Sequence, residues 1–132
     1  MESGEWLPCL TVATIIEREG RFLLVEEYAD GEELVYNQPA GHLDEHETLA
    51  AGAIRETLEE TAWEVDVNAI VGVYYWTHPK GHTFVRTCFT GTALYYHPNQ
   101  PLDDGIERTV WLTRNEVAAL GPKLRSPMVL RC

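Results

Sequence analysis

The sequence predicts an α/β fold, a mixed sheet with helices packed on it, and three observations lead there. Residues 10–17, 21–26, 65–76, 83–96 and 109–112 are rich in β-branched and aromatic side chains, the composition of strands. A central segment from Glu47 or Thr48 to Thr61 instead repeats Ala50, Ile54, Thr57, Leu58 and Thr61 at three- and four-residue steps, the period of a helix. Most of the strands follow one another through short connections, with one helix in the middle and a short one late. That order gives hairpins with covering helices rather than a purely parallel sheet. At 132 residues and 15.0 kDa, residues 1–132 have the size of one domain.

Each element has a local reason. Glu19-Gly20 supplies the turn between strands 10–17 and 21–26. An acidic loop, 29–33, leads to the short apolar run Leu34-Val35-Tyr36, and Pro39 and Gly41 make 37–43 irregular. The helix start has two candidates: Asp44 with Glu47 has capping-box spacing, and Thr48 is an equally good cap. Strand 65–76 ends in Tyr74-Tyr75-Trp76, and the loop 78–82 leads into strand 83–96. Residues 97–108, with two prolines, Asn99, Gly105 and three acids, read as a long loop of functional type. Strand 109–112 is followed by helix 115–120, stopped at Gly121-Pro122.

Composition excludes several function classes. Acids outnumber bases 21 to 10, a net charge of −11, so neither a nucleic-acid polymer nor an anionic membrane is an expected partner. Three cysteines, Cys9, Cys88 and Cys132, without a CxxC pair argue against a disulfide framework or structural zinc and for a reduced, cytoplasmic setting. The opening residues show no basic stretch followed by an apolar one, so no secretory leader is expected, and no window has the ~20 apolar residues of a membrane span. If the ligand is an anion, something must reverse the sign of the charge locally.

The acid is concentrated. Asp44, Glu45, Glu47, Glu56, Glu59, Glu60, Glu64 and Asp66 share residues 42–66 with a single base, Arg55. At about 100° per residue, with Ile54 at zero, Thr57, Leu58 and Thr61 lie within about 60° and form the buried stripe. Glu56, Glu59 and Glu60 then share the opposite face, where each like-charge pair three or four residues apart costs roughly 0.2–0.5 kcal/mol. A solvated acidic face is the simple reading of such a helix. A divalent cation is the functional one, because it would make the repulsion favourable, and carboxylates next to the carbonyls of a Pro-Ala-Gly turn favour Mg²⁺, Mn²⁺ or Ca²⁺ over zinc. Arg55 can pair with Glu47 or Glu59.

At these residues the chain resembles the Nudix hydrolases, whose box reads G-x5-E-x7-R-E-U-x-E-E-x-G-U with U a bulky apolar residue. Gly41, Glu47, Arg55, Glu56, Glu59 and Glu60 match it in order and spacing over 23 positions. Thr57 stands where the pattern has an apolar residue and Ala62 where it has glycine. The flanks 8–13, 37–43 and 124–127 are similar to the NudJ-type phosphatase branch. The resemblance implies a Nudix-type α/β/α sandwich with a mixed β-sheet and a central carboxylate-bearing helix. It implies Mg²⁺ (Mn²⁺ possible) bridging a substrate diphosphate to Glu56, Glu59, Glu60 and the carbonyl of Ala40, with Glu47 and Arg55 as a supporting ion pair. The expected reaction is hydrolysis of a phosphoanhydride in a small nucleoside di- or triphosphate or a pyrimidine (thiamine-precursor) diphosphate. One glutamate, or a loop acid outside the box, would act as general base. The alternative is a catalytically silent Nudix-like module that binds a nucleotide and senses it.

Outside the box, Glu107, four residues before Trp111, ranks first as the loop acid, with Asp103 and Asp104 its competitors. Gln38, Tyr74, Trp76 and Arg86 are the expected substrate-binding residues, the aromatics by stacking on a ring. Tyr74, Tyr75 and Trp76 alternate between faces, so at most two of them line one pocket. His78 and His82 are four apart, but Pro79 and Gly81 preclude the helix that a zinc pair needs. Lys80, Arg86 and Arg125 could each contact phosphate, with solvated surface the simpler reading of each, and Cys9 and Cys88 read as small buried side chains. Either a monomer or a homodimer is compatible with these residues.

Overall fold

The computed structural model describes residues 6–29, 33–126 and 129. In chain order these form β1 (Cys9–Arg18), β2 (Arg21–Ala29), β3 (Glu33–Asn37), β4 (Ala40–His42), α1 (Leu49–Thr61), β5 (Trp63–Thr77), β6 (Thr83–Tyr96), β7 (Ile106–Thr113) and α2 (Arg114–Leu120), the last running into a single 3₁₀ turn, Gly121–Lys123. The strands join in the order β3-β2-β1-β6-β5, with β4 also on β1 and β7 also on β2. The sheet is mixed, since β1 runs parallel to β6 and every other pair is antiparallel. Strands β1 and β2 pair only beside their turn, where Glu19 (φ 53°) and Gly20 (φ 78°) both take the positive φ of a two-residue hairpin. Beyond it β1 turns to β4 and β6 while β2 turns to β3 and β7, which opens a space between the two groups of strands.

Helix α1 covers one face of the β4-β1-β6-β5 group. Val12, Ala53 and Phe89 meet there, with Leu43, Ala50 and Val67 around them, while Ile16, Leu23, Val65 and Ala93 continue the core toward Trp63 and Trp111. The opposite face of the same strands carries Ala13, Ala40 and Cys88 with Ile15 and Tyr74. Cys88 is fully buried as expected, but it is disulfide-bonded rather than the reduced thiol expected; Cys9 is free. No helix among the described residues is long and apolar enough to cross a membrane.

Two local expectations need correction, and the open choice of helix cap is decided. The segment 37–43 is not wholly irregular: Ala40–His42 pairs with Thr11–Ala13 as an edge strand, a length of three residues that composition cannot reveal. The loop 97–108 ends early, because β7 begins at Ile106 and places Glu107 in a strand. The cap of α1 is Thr48, whose Oγ1 accepts from the Ala51 N–H at 3.1 Å; Asp44 instead donates its own N–H to Glu47 Oε1 at 3.1 Å.

The end of α1 carries a prediction. Ala62, where the Nudix pattern has glycine, takes φ 63°, ψ 15°, the left-handed cap conformation, and its N–H reaches the Leu58 carbonyl. A Cβ in that conformation costs roughly 1–2 kcal/mol. Ala62→Gly is therefore expected to stabilise the protein by a few tenths of a kcal/mol. The gain is limited by glycine's extra freedom when unfolded and by loss of a methyl that is almost fully buried. A chemical-denaturation midpoint that falls would show that the methyl's packing outweighs the strain.

Candidate active site

The carboxylates of α1 are graded by their angle from the buried side of the helix. That side is centred on Thr57, flanked by Ala53 and Thr61, and not on Ile54 as the periodicity suggests. Thr57 is fully buried and accounts for its departure from the apolar box position: its hydroxyl meets Thr14 Oγ1 at 2.8 Å and donates to the Ala53 carbonyl at 2.7 Å. Measured from Thr57, Glu60 lies about 60° away, Glu56 about 100° and Glu59 about 160°. Burial follows that order, with Glu60 at 8 % exposure and the side chains of Glu56 and Glu59 at 12 % and 43 %. The three carboxylates therefore do not share one solvent face; Glu60 is buried beside the edge strand.

Strand β4 receives two of them. The Ala40 N–H donates to Glu60 Oε1 at 2.9 Å. Glu56 lies against Gly41 so closely that a Cβ built there would stand 1.7 Å from Oε2, which is why no larger residue fits. Arg55 ties the rest together. It donates from Nε to Glu47 Oε2 at 2.7 Å and from Nη2 to Glu47 Oε1 at 2.9 Å, and from Nη1 to Glu56 at 2.6 Å and Glu59 at 3.0 Å. The expected Glu47–Arg55 pair is thus a two-pronged one, the geometry in which guanidinium and carboxylate bind best.

The charges respond to these surroundings. Arg55, together with the Asp44 N–H, holds the Glu47 carboxyl down to about 2. Burial raises Glu56 despite Arg55. Burial pushes Glu60 up to about 9, against the help of the Ala40 N–H and reinforced by Glu27, Glu56 and Asp103. A buried carboxyl crowded by other acids is a group that holds a proton at neutral pH until a cation replaces it.

Glu56, Glu60 and Ala40 open into a cleft of about 550 Å³ between the two groups of strands, lined also by Arg86 and Trp76. Trp76 stacks on Phe84 (ring centroids 6.1 Å apart, 21° between planes) and meets His78 edge-on at 5.4 Å, so the cleft has an aromatic wall. Other expected site residues sit elsewhere. Glu47, Arg55 and Glu59 flank the cleft without lining it. Gln38 is buried as a bridge, accepting from Arg86 Nη1 at 3.0 Å and donating to the Val129 carbonyl at 2.8 Å. Tyr74 packs against Ala13, Ala40 and Cys88. Glu107 is outside the cleft on β7, its carboxylate accepting from the Tyr28 hydroxyl at 3.2 Å. The loop acid near the carboxylates is Asp103, whose N–H donates to the Glu59 carbonyl at 3.0 Å and whose charge acts on Glu56 and Glu60.

Sequence reasoning missed Thr11, Asn37 and Glu27, all buried and all in the cleft. Glu27 accepts from Asn37 at 3.3 Å and Arg125 at 3.1 Å, and burial raises its carboxyl nonetheless. An acid in the apolar run of β2 was the only available signal. Arg125, read as solvated, also lines the cleft.

The donor set fits a hard divalent cation. Glu56 and Glu60 offer only oxygen, Glu60 is buried and Glu56 half-buried, and both are raised in pKa, which a bound cation would relieve. Among the described residues no three of His, Cys, Asp and Glu yet converge on one point. Arg55 explains that spacing, since it holds one oxygen of Glu56 and one of Glu59.

The family model of the NUDIX domain matches residues 7–132. Over 128 residues, 95 % of this chain and 82 % of the relative, the chain is 38 % identical to Phosphatase NudJ of Escherichia coli strain K12. A solved NUDIX hydrolase from Nitrosomonas europaea superposes with a TM-score of 0.93 at 38 % identity, covering 96 % of this chain and 86 % of that one. A second NUDIX hydrolase from Nitrosomonas europaea, at 23 % identity and a TM-score of 0.78 over 96 % of this chain and 68 % of that one, shares the fold. With the box residues gathered at the edge of β4 and the match spanning nearly the whole chain, this protein belongs to the Nudix hydrolase family.

Proposed function

We propose that the protein hydrolyses a phosphoanhydride bond in a small nucleoside di- or triphosphate or a pyrimidine (thiamine-precursor) diphosphate, in a Mg²⁺-dependent reaction carried out by a single domain. The observation that carries this reading is the pair of carboxylates, half-buried Glu56 and buried Glu60, facing a cleft that also holds a buried arginine and an aromatic wall. When bound, the cation supplies charge neutralisation of the phosphates and acidifies a water.

Glu56, Glu59 and Glu60 are its ligands in this proposal, with the Ala40 carbonyl beside them. Arg55, anchored on Glu47, keeps Glu56 and Glu59 on one side of the helix. Arg86 takes a phosphoryl oxygen, and Trp76 stacks on the ring. Gln38 positions Arg86 and does not touch the substrate. Asp103, whose charge acts on Glu56 and Glu60, takes the place of Glu107 as the loop acid proposed to receive the proton of the attacking water. A phosphate-release assay with Mg²⁺ across nucleoside di- and triphosphates, thiamine precursors and nucleotide sugars tests the reading. Absence of turnover on every one of them would favour a binding module.

Metal linkage gives an independent check. Mg²⁺ or Mn²⁺ is expected to raise Tm, since a ligand that prefers the folded chain stabilises it by RT ln(1 + [M]/Kd), about 2.7 kcal/mol at a hundred times Kd. The pH dependence has a definite sign. The Glu60 carboxyl ionises near its usual 4.5 when unfolded and at about 9 when folded. Without metal, its contribution to stability is full below pH 4.5 and is lost as pH rises toward 9. A cation takes the place of that proton, so the metal-induced rise in Tm should be larger at pH 8 than at pH 6. Equal shifts with NaCl at matched ionic strength would reduce the effect to screening.

A further inference from the structure

Acid is missing from one stretch of this chain. All 21 acids lie outside residues 67–102, which hold most of β5, all of β6 and the turn between them. Exposed apolar side chains gather in the same stretch. Among the described residues, seven of the thirteen large hydrophobic side chains that are exposed belong to β5 or β6. Strand β5 is also an open edge of the sheet, since it pairs with β6 alone.

Register shows which of these side chains share a face. Ile70, Val73 and Tyr75 pair with Phe89, Thr87 and Val85 on β6, and direct partners in a sheet point the same way. Phe89 and Thr87 are buried, Phe89 with Ala53 of α1 over it. The helix therefore covers β1 and β6 and leaves this face of β5 bare from Ile70 onward: Ile70, Val73 and Tyr75 are 58 %, 62 % and 63 % exposed. Trp6, itself exposed, lies against Tyr75 with ring centroids 6.4 Å apart.

A second copy of the chain fits that edge. A net charge of −11 makes two copies repel one another across most of their surface, and the acid-free edge is where they meet at least cost. A cationic partner would be drawn to the acidic surface elsewhere. Antiparallel strands related by a two-fold axis pair with themselves, each residue meeting the one that meets it. Bulges interrupt β5 between Val67 and Ala69 and between Ile70 and Gly72, and the turn 78–82 closes its far end, so residues 72–77 are the regular part. An axis through Tyr74 sets Val73 of each copy opposite Tyr75 of the other, a favourable aromatic and β-branched cross-strand pair. Trp6, Ile70, Val73 and Tyr75 leave roughly 550 Å² of side chain open on each copy, so two copies bring together on the order of 1,100 Å², just above the about 1,000 Å² that a specific interface needs.

We propose that β5 is the interface of a homodimer in which two sheets join edge to edge, antiparallel, about a two-fold axis at Tyr74. The test is sedimentation velocity of the full chain over a concentration series, with wild type, Val73→Lys, Tyr75→Glu and Leu94→Lys. Wild type is expected to pass from 15.0 kDa toward twice that mass as concentration rises. Val73→Lys and Tyr75→Glu are each expected to dimerise about tenfold or more weakly, since either places an unpaired charge in the joint. Both positions are exposed in one copy, so the Tm of each variant should stay within a few degrees of wild type. The two positions face each other across the axis, so mixing Val73→Lys with Tyr75→Glu is expected to restore a dimer in which lysine meets glutamate. Leu94, 59 % exposed on β6 rather than on the edge strand, is the control, and Leu94→Lys should dimerise as wild type does.

Wild type that stays at 15.0 kDa throughout would overturn the dimer. A dimer unaffected by both β5 variants, or one lost in Leu94→Lys, would overturn the β5 interface by placing the contact on another face. A mixture of the two β5 variants that stays monomeric while each is folded by its melt would overturn the axis at Tyr74 and the proposal with it.

Discussion

Glu60→Gln is expected to lower kcat by about 100-fold or more on whichever diphosphate the enzyme turns over, the usual scale for losing one electrostatic element of a catalytic site. The substitution is nearly silent without metal. Glu60 holds a proton at neutral pH, with its carboxyl pushed up to about 9, so glutamine reproduces its shape and charge state. The amide oxygen can still accept from the Ala40 N–H that Glu60 accepts from at 2.9 Å. The ligand-free Tm should therefore be unchanged or slightly higher, while the metal-induced rise in Tm should shrink. Activity within a few-fold of wild type at saturating Mg²⁺ would remove Glu60 from the site.

Gly41→Ala should have an effect of similar size on activity, with Tm within a few degrees of wild type. An added Cβ would stand 1.7 Å from Glu56 Oε2 and 2.1 Å from its Cδ, so the carboxyl group must move. The atoms displaced are the far end of a flexible side chain, so the fold can absorb the change. A shift of about 1 Å in a group that positions substrate can cost about 100-fold. The experiment pairs kcat/KM with a thermal melt. Full activity would show that Glu56 does its work from another position, and a collapsed melt would show that the Gly41 contact is structural.

The box residues were legible because their spacing is periodic along a helix, and periodicity survives in a sequence. Strand β6 was equally legible, since residues 83–96 are long, rich in β-branched and aromatic side chains, and bounded by turns on both sides. The face of α1 was less so. Periodicity puts Ile54 and Thr57 in one buried stripe, and the hydroxyl pair between Thr57 and Thr14, forty-three residues apart, goes with a stripe centred on Thr57. That rotation is what buries Glu60 and leaves Glu59 partly exposed. Glu107 failed for a related reason. Its position before Trp111 suited a functional loop, but pairing of β7 with β2 begins at Ile106 and directs it to an exposed edge beside Tyr28.

Local sequence sets the chemistry available to this protein: an acidic helix with one arginine in its midst, a glycine and an alanine before it, and a supply of aromatics. Local composition and period decide such things, because they depend on neighbours within a turn or two of chain. Tertiary structure alone decided the site. Parallel pairing of β1 with β6 sets Thr11 beside Arg86, and antiparallel pairing of β4 with β1 brings Ala40 and Gly41 to the carboxylates. These juxtapositions rest on register between strands far apart in the chain, where a shift of one residue would turn every side chain to the other face.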